Sequence, residues 1–166
     1  MHCVLIPHPD DEILFTAYKI MREKPIVVIL TFPTLQGDNG YTRIMESFKA
    51  MKLLGASVMF LNIPEHEFDE DRLRTELLKL NITKCHAPQL DGGHKHHDIT
   101  HKVATELYED ITYYKTYGRG ETRAIGWEVE PTEEELKLKK KAMELYQTQI
   151  NNPLTAHYFN VTNEYE

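Results

Sequence analysis

The segment that most restricts the fold is Ile26–Phe32, Ile-Val-Val-Ile-Leu-Thr-Phe, opened by Pro25. An unbroken β-branched run of this kind has no polar face. It fits a strand covered on both sides, as in a parallel sheet between two helical layers. The flanking segments carry the periods such a sheet needs. Residues 2–7 read as a short buried strand, 57–63 as a third, 84–90 as a weaker fourth and 111–117 as a fifth. Between them, apolar residues recur at helical spacing: Ile13, Leu14, Ala17 and Ile20 over 11–22, then Ile44, Phe48, Met51 and Leu54, then Leu73, Leu77 and Leu80, then Ile99, Val103 and Leu107. Gly55 supplies a helix stop. Thr132 with Glu135 forms a capping-box signature for a last helix through Leu138, Ala142 and Leu145, ended by Asn151-Asn152-Pro153. Residues 33–40 read as a loop, and 118–131 as irregular with a short strand around 125–129.

Alternating strands and helices predict an α/β chain: a Rossmann-like three-layer sandwich with a mostly parallel sheet of about five strands, order 3-2-1-4-5, and helices on both faces. Ligands in such sheets bind outside the carboxyl ends of the strands, where the strand order reverses. In this order the first and fourth strands are neighbours across the reversal. The two most polar clusters follow those two strands, so both are expected to face one crevice.

Composition narrows the class of protein. The chain has 166 residues, the size of one domain (1–166). Hydrophobic residues make up 41% and charged residues 27%, ordinary globular usage. Acids outnumber bases 26 to 19, a formal net charge of -7, which argues against a general nucleic-acid or anionic-membrane binder. No apolar run reaches the roughly 18–20 residues of a membrane span, and the charged motif at 8–12 interrupts any signal-peptide pattern. Cys3 and Cys85 are too few for a disulfide framework and read as reduced thiols. A cytoplasmic protein is expected. Four of the nine histidines, His94, His96, His97 and His101, fall within eight residues.

The first cluster is Pro7-His8-Pro9-Asp10-Asp11-Glu12, where a strand hands over to a helix. Three acids there can simply complement a helix N-terminal dipole. His8 adds a second option, since a histidine and a carboxylate three residues apart can converge on one cation. Prolines 7 and 9 restrict the backbone that aims them. In the second cluster, Gly92-Gly93-His94-Lys95-His96-His97, the density of imidazoles exceeds what a solvated loop requires. His97 and His101 also stand four apart on one helix face, a recognised metal-pair spacing.

The string Pro-His-Pro-Asp-Asp-Glu at the end of a first strand resembles the signature of the LmbE/PIG-L family of zinc-dependent N-acetylglucosaminyl deacetylases. That resemblance implies that His8 and Asp11 are metal ligands and Asp10 the general base. The family carries a second motif, commonly His-Pro-Asp-His, which His94 and His97 match in spacing. His97 would be the third ligand and His94 the side chain that stabilises the oxyanion. His96 stands in place of the usual Asp, and Lys95 in place of the usual Pro. Arg43-Ile44-Met45-Glu46 with Leu54-Gly55 resembles the family's Arg-x-x-Glu helix, whose arginine would contact substrate; a surface Arg and Glu on an amphipathic helix would look the same. Tyr146-Gln147-Thr148-Gln149 resembles a late Tyr-x-Ser-Gln stretch, taken as structural, and Asp38 stands where the family often has an acid. Trp127 and tyrosines 113, 114 and 117 are candidates for a sugar-stacking wall, although aromatics so spaced are more often core.

Two histidines and one carboxylate leave a tetrahedral ion with an open position, the catalytic pattern. The resemblance thus implies Zn2+, with Fe2+ or another divalent ion as an option, and hydrolysis of an N-acetylated amino sugar or conjugate to acetate and a free amine. Family members are usually longer, which leaves the acceptor side of the pocket open or completed by a second copy in a homo-oligomer. Two other readings stay open: a Rossmann-like metal- or nucleotide-binding module without chemistry, and an amidase for a larger acyl group.

Overall fold

The computed structural model of the chain describes residues 1–34, 39–90, 92, 94–116 and 127–165. Five strands, β1 (His2–Ile6), β2 (Ile26–Phe32), β3 (Val58–Pro64), β4 (Lys84–Pro88) and β5 (Ile111–Tyr114), form one sheet in the order β3-β2-β1-β4-β5. Every pairing is parallel. The central position of β1 and β2 explains their sequences: Cys3 to Ile6 and Val27 to Leu30 are fully buried. Alternate residues serve opposite faces. Val4, Ile6, Val27 and Ile29 pack under α1 (Asp11–Phe15), α2 (Ala17–Glu23), α3 (Asn39–Leu53) and α6 (Glu133–Met143). Cys3, Leu5, Val28 and Leu30 pack under α4 (Glu70–Leu77) and α5 (Lys95–Leu107). No helix among the described residues is long and apolar enough to cross a membrane.

Several boundaries differ from the sequence reading for local reasons. The predicted helix over 11–22 is two helices, broken at Thr16, which leaves the helical region (φ -138°) while its hydroxyl donates to the Glu12 carbonyl. Gly55 takes a positive φ of 67° just beyond α3, the expected stop. The capping box is present at α6, with Thr132 Oγ1 accepting from Glu135 N and Glu135 returning to Thr132 N. That helix ends at Met143, and a separate turn, α7 (Gln147–Ile150), follows. The strand expected around 125–129 lies partly outside the described residues; within them Glu128 makes a single antiparallel bridge to Tyr165. Asp38 and Tyr117 also lie outside them.

Candidate active site

Strand order reverses at β1, between β2 and β4, so the loops leaving β1 and β4 border one crevice. The loop after β1 is anchored by Pro7, whose carbonyl accepts from Thr31 N (3.1 Å) and Thr31 Oγ1 (2.7 Å) of β2. The chain then turns sharply at Asp10, which takes φ 120°, ψ -29°. A non-glycine residue held at such a φ costs on the order of 1–3 kcal/mol and persists only where its surroundings fix it. Here they do. Asp10 N donates to Glu12 Oε2 (2.8 Å), and Tyr146 OH donates to Glu12 Oε1 (2.6 Å), locking a fully buried carboxyl behind the turn.

Beyond the turn the imidazoles gather. Asp11 Oδ2 accepts from His8 N (2.9 Å) and lies 3.1 Å from both His8 Nδ1 and His97 Nε2. His94, the N-cap of α5, sets its ring 4.5 Å from that of His8 and 4.7 Å from that of His97. One nitrogen from each of His8, His94 and His97 falls within 4.8 Å of the others. His96 closes the group, its Nδ1 2.9 Å from His8 Nε2. Burial pushes the His8 imidazole down to about 3 despite the Asp11 carboxyl beside it. Burial alone would lift Asp11, but His97 and His8 overcome it and hold that carboxyl well below the usual range. A divalent cation requires unprotonated nitrogen donors and an ionised carboxylate; His8 and Asp11 stand in those states, and the ring nitrogens of His94 and His97 converge with that of His8, so these residues fit such an ion.

Asp10 faces a different set of partners. Arg43, from α3, donates from one guanidinium nitrogen to the Pro9 carbonyl (2.8 Å) and to Asp10 Oδ2 (3.0 Å). The Gln149 carboxamide, with its NH2 toward Asp10, donates to Asp10 Oδ2 (3.2 Å) while its oxygen accepts from Arg43 Nε (3.0 Å). Burial, with Asp11 and Glu12 close by, pushes the Asp10 carboxyl up to about 8 against the pull of Arg43. Two adjacent carboxyls are thereby driven in opposite directions, one toward proton exchange near neutrality and one toward permanent charge.

His8, Asp10, Asp11, Arg43, His94 and His97 all line one cavity of about 260 Å3. The competing pair is not brought together: His101 turns away from the cavity, its Nδ1 3.0 Å from the Pro88 carbonyl and its ring 4.8 Å from that of Tyr113. The aromatic wall is also built differently. Trp127 is 87% exposed, and the buried Tyr114 donates to the Leu5 carbonyl. Phe15, Tyr158 and Phe159 line the cavity instead. Gln149 and Glu12 reach the site more directly than their sequence reading suggests. The late Tyr-x-Thr-Gln stretch was the signal for Gln149; for Glu12 it was adjacency to the motif, masked by the simpler role of a helix-start acid.

Comparison with known proteins relates the chain to a family and to a shared fold. The family profile of GlcNAc-PI de-N-acetylase, PIG-L, matches residues 3–108. No curated protein matches. Among solved structures, a triple mutant of a deacetylase of the teicoplanin biosynthetic pathway superposes with a TM-score of 0.70 at 14% identity, covering 96% of this chain and 88% of that one. The 4-carboxy-2-hydroxymuconate hydratase GalB from Pseudomonas putida KT2440 gives 0.67 at 17% identity, covering 96% and 82%. A zinc-inhibited form of teicoplanin deacetylase Orf2 gives 0.68 at 13% identity, covering 89% and 84%. At these identities the likeness establishes the fold.

Proposed function

The chain belongs to the PIG-L, GlcNAc-PI de-N-acetylase, family, and on that premise we propose that it is a divalent-metal-dependent hydrolase that removes the N-acetyl group from an amino sugar or its conjugate. The observation that carries the reading is the shared cavity in which the ring nitrogens of His8, His94 and His97 converge with the ionised Asp11 carboxylate, beside a buried Asp10 carboxyl pushed up to about 8. His8, Asp11 and His97 hold the cation, with His94 close enough to serve as a ligand or to face the reacting carbonyl. Zn2+ suits this nitrogen-and-oxygen set, and Fe2+ or another divalent ion is compatible with it. When bound, such an ion polarises an amide carbonyl and makes water acidic enough to ionise near pH 7.

The remaining chemistry belongs to the chain. Asp10 Oδ accepts the proton of the attacking water and returns it to the departing amine, a role suited to a carboxyl titrating close to neutrality. Arg43 and Gln149 hold that carboxylate in place, so Arg43 acts as a positioning residue as well as a lining one that can meet substrate hydroxyls. His94 donates toward the developing oxyanion, a contribution of about 3 kcal/mol for a well-placed donor.

Phe15, Leu14, Tyr158 and Phe159 give the cavity an apolar side, which favours a second reading, an amidase for acyl groups larger than acetyl. One experiment separates the two. The metal-loaded protein is incubated with N-acyl glucosamine conjugates of increasing acyl length, and the released acid is measured. Fastest release of acetate supports deacetylation, fastest release of a longer acid supports the amidase, and no release from any acyl conjugate in any divalent ion excludes both. The metal series includes low Zn2+, because one structure of similar fold is a zinc-inhibited form.

A further inference from the structure

At the other end of the sheet a second set of donors converges. His2 opens β1, and His86 lies in β4 opposite Val4. Residues two apart on a strand share a face, so His2 and His86 project from the same side. Glu23, the last residue of α2, meets them there. His2 Nε2 and His86 Nε2 are 2.7 Å apart. Glu23 Oε2 lies 3.2 Å from the His86 nitrogen and 3.6 Å from the His2 nitrogen. Around a tetrahedral ion with bonds of about 2.0–2.1 Å, neighbouring donor atoms stand roughly 3.3 Å apart. The triangle formed by these three atoms brackets that value.

The surroundings favour the neutral, oriented imidazoles that a metal needs. His86 is buried, and its Nδ1 meets Thr112 Oγ1; with that nitrogen donating, Nε2 presents its lone pair to His2 and Glu23. Burial pushes the His86 imidazole down to about 4 and lowers that of His2 as well. Two ammonium groups compete for the same carboxylate, Lys19 Nζ at 3.2 Å from Oε1 and Lys84 Nζ at 3.1 Å from Oε2. Lys19 pairs with Oε1, and the Lys84 side chain, 40% exposed, can withdraw from Oε2 into solvent.

We propose that His2, Glu23 and His86 form a second divalent-metal site, selective for nitrogen-seeking ions such as Zn2+, Ni2+ and Co2+, in which Lys84 is the competing cation. Its occupant would tie the starts of β1 and β4 to the end of α2. The site is independent of the reaction proposed for the crevice. The test uses the untagged full chain, stripped with chelator, reloaded with Zn2+ or Co2+ and desalted. Bound ions are then counted, and Co2+ is followed by its visible absorption. Loss of a partner behind a ligand already costs 10–100-fold in affinity, so His2→Ala and Glu23→Gln are each expected to weaken one site more than about tenfold and to remove one equivalent. Both should leave hydrolysis in the crevice at the parent level. Lys84→Met should tighten the same site. His86 is packed inside β4, so the part-exposed His2 and Glu23 carry the test rather than His86. A bound-ion count and a Co2+ spectrum unchanged in both His2→Ala and Glu23→Gln would overturn the proposal.

Discussion

Asp10 and Asp11 are neighbours in sequence with opposite surroundings, and that contrast sets their expected behaviour on substitution. Asp11 accepts from the backbone and a ring nitrogen of His8 and faces His97, whereas Asp10 is held by Arg43 and Gln149. Asp10→Ala is therefore predicted to keep the crevice ion and to lower kcat by about 10²–10⁴-fold, the usual contribution of general acid–base catalysis. Asp11→Ala is predicted to lose both ion and turnover. Equal metal loss in the two variants contradicts this division. The turn behind them is testable separately. Tyr146→Phe removes the donor to the fully buried Glu12 carboxyl, and unfolding in denaturant should show a loss of about 1–3 kcal/mol. Stability equal to the parent's would mean that this hydrogen bond does not support the Asp10 turn.

The elements divide into those a local pattern announces and those that distant residues decide. Ile26–Phe32 was legible because a strand covered on both faces must be apolar throughout, and α6 because its cap lies in its own first turn. The Thr132→Ala variant should accordingly cost about 1 kcal/mol by denaturant melting; an unchanged midpoint would show that α6 is held by packing alone. The break at Thr16 was not legible. The start of α2 is satisfied by Glu164, whose carboxylate oxygens accept from Tyr18 N at 3.2 and 3.1 Å, and no nearby pattern signals a partner from the far end of the chain. Glu164 also pairs with the buried Lys139 (2.6 Å). Burial nonetheless pushes Glu164 up to about 6, from an ordinary 4.5. Between those values the folded chain keeps a proton that the unfolded chain has released. This residue's contribution to stability is thus greatest below pH 4.5 and declines as pH rises through 6. The unfolding free energy of the parent minus that of Glu164→Gln should fall across this window, and a flat difference would contradict the assignment. The candidate sites were legible in the same uneven way: His8, Asp11 and His97 stand in motifs, while the His2–Glu23–His86 group joins three elements with no spacing to betray it.

Over the whole molecule, the parallel order β3-β2-β1-β4-β5 brings the loops after β1 and β4 to one crevice, and α3 and α7 add Arg43 and Gln149 from a third side. A deacetylase and a hydratase share this scaffold at low identity, so the chemistry rests on the site rather than on the fold. Chelation is predicted to abolish acyl release, and readdition of one divalent ion to restore it. The account depends most directly on both clusters holding a single ion. Its decisive measurement is bound metal per chain and acid release from N-acyl glucosamine conjugates, for untagged parent and His97→Ala side by side. The account predicts that the variant loses one equivalent of metal and, with it, the hydrolysis. An unchanged metal count in His97→Ala, with hydrolysis retained, would contradict it.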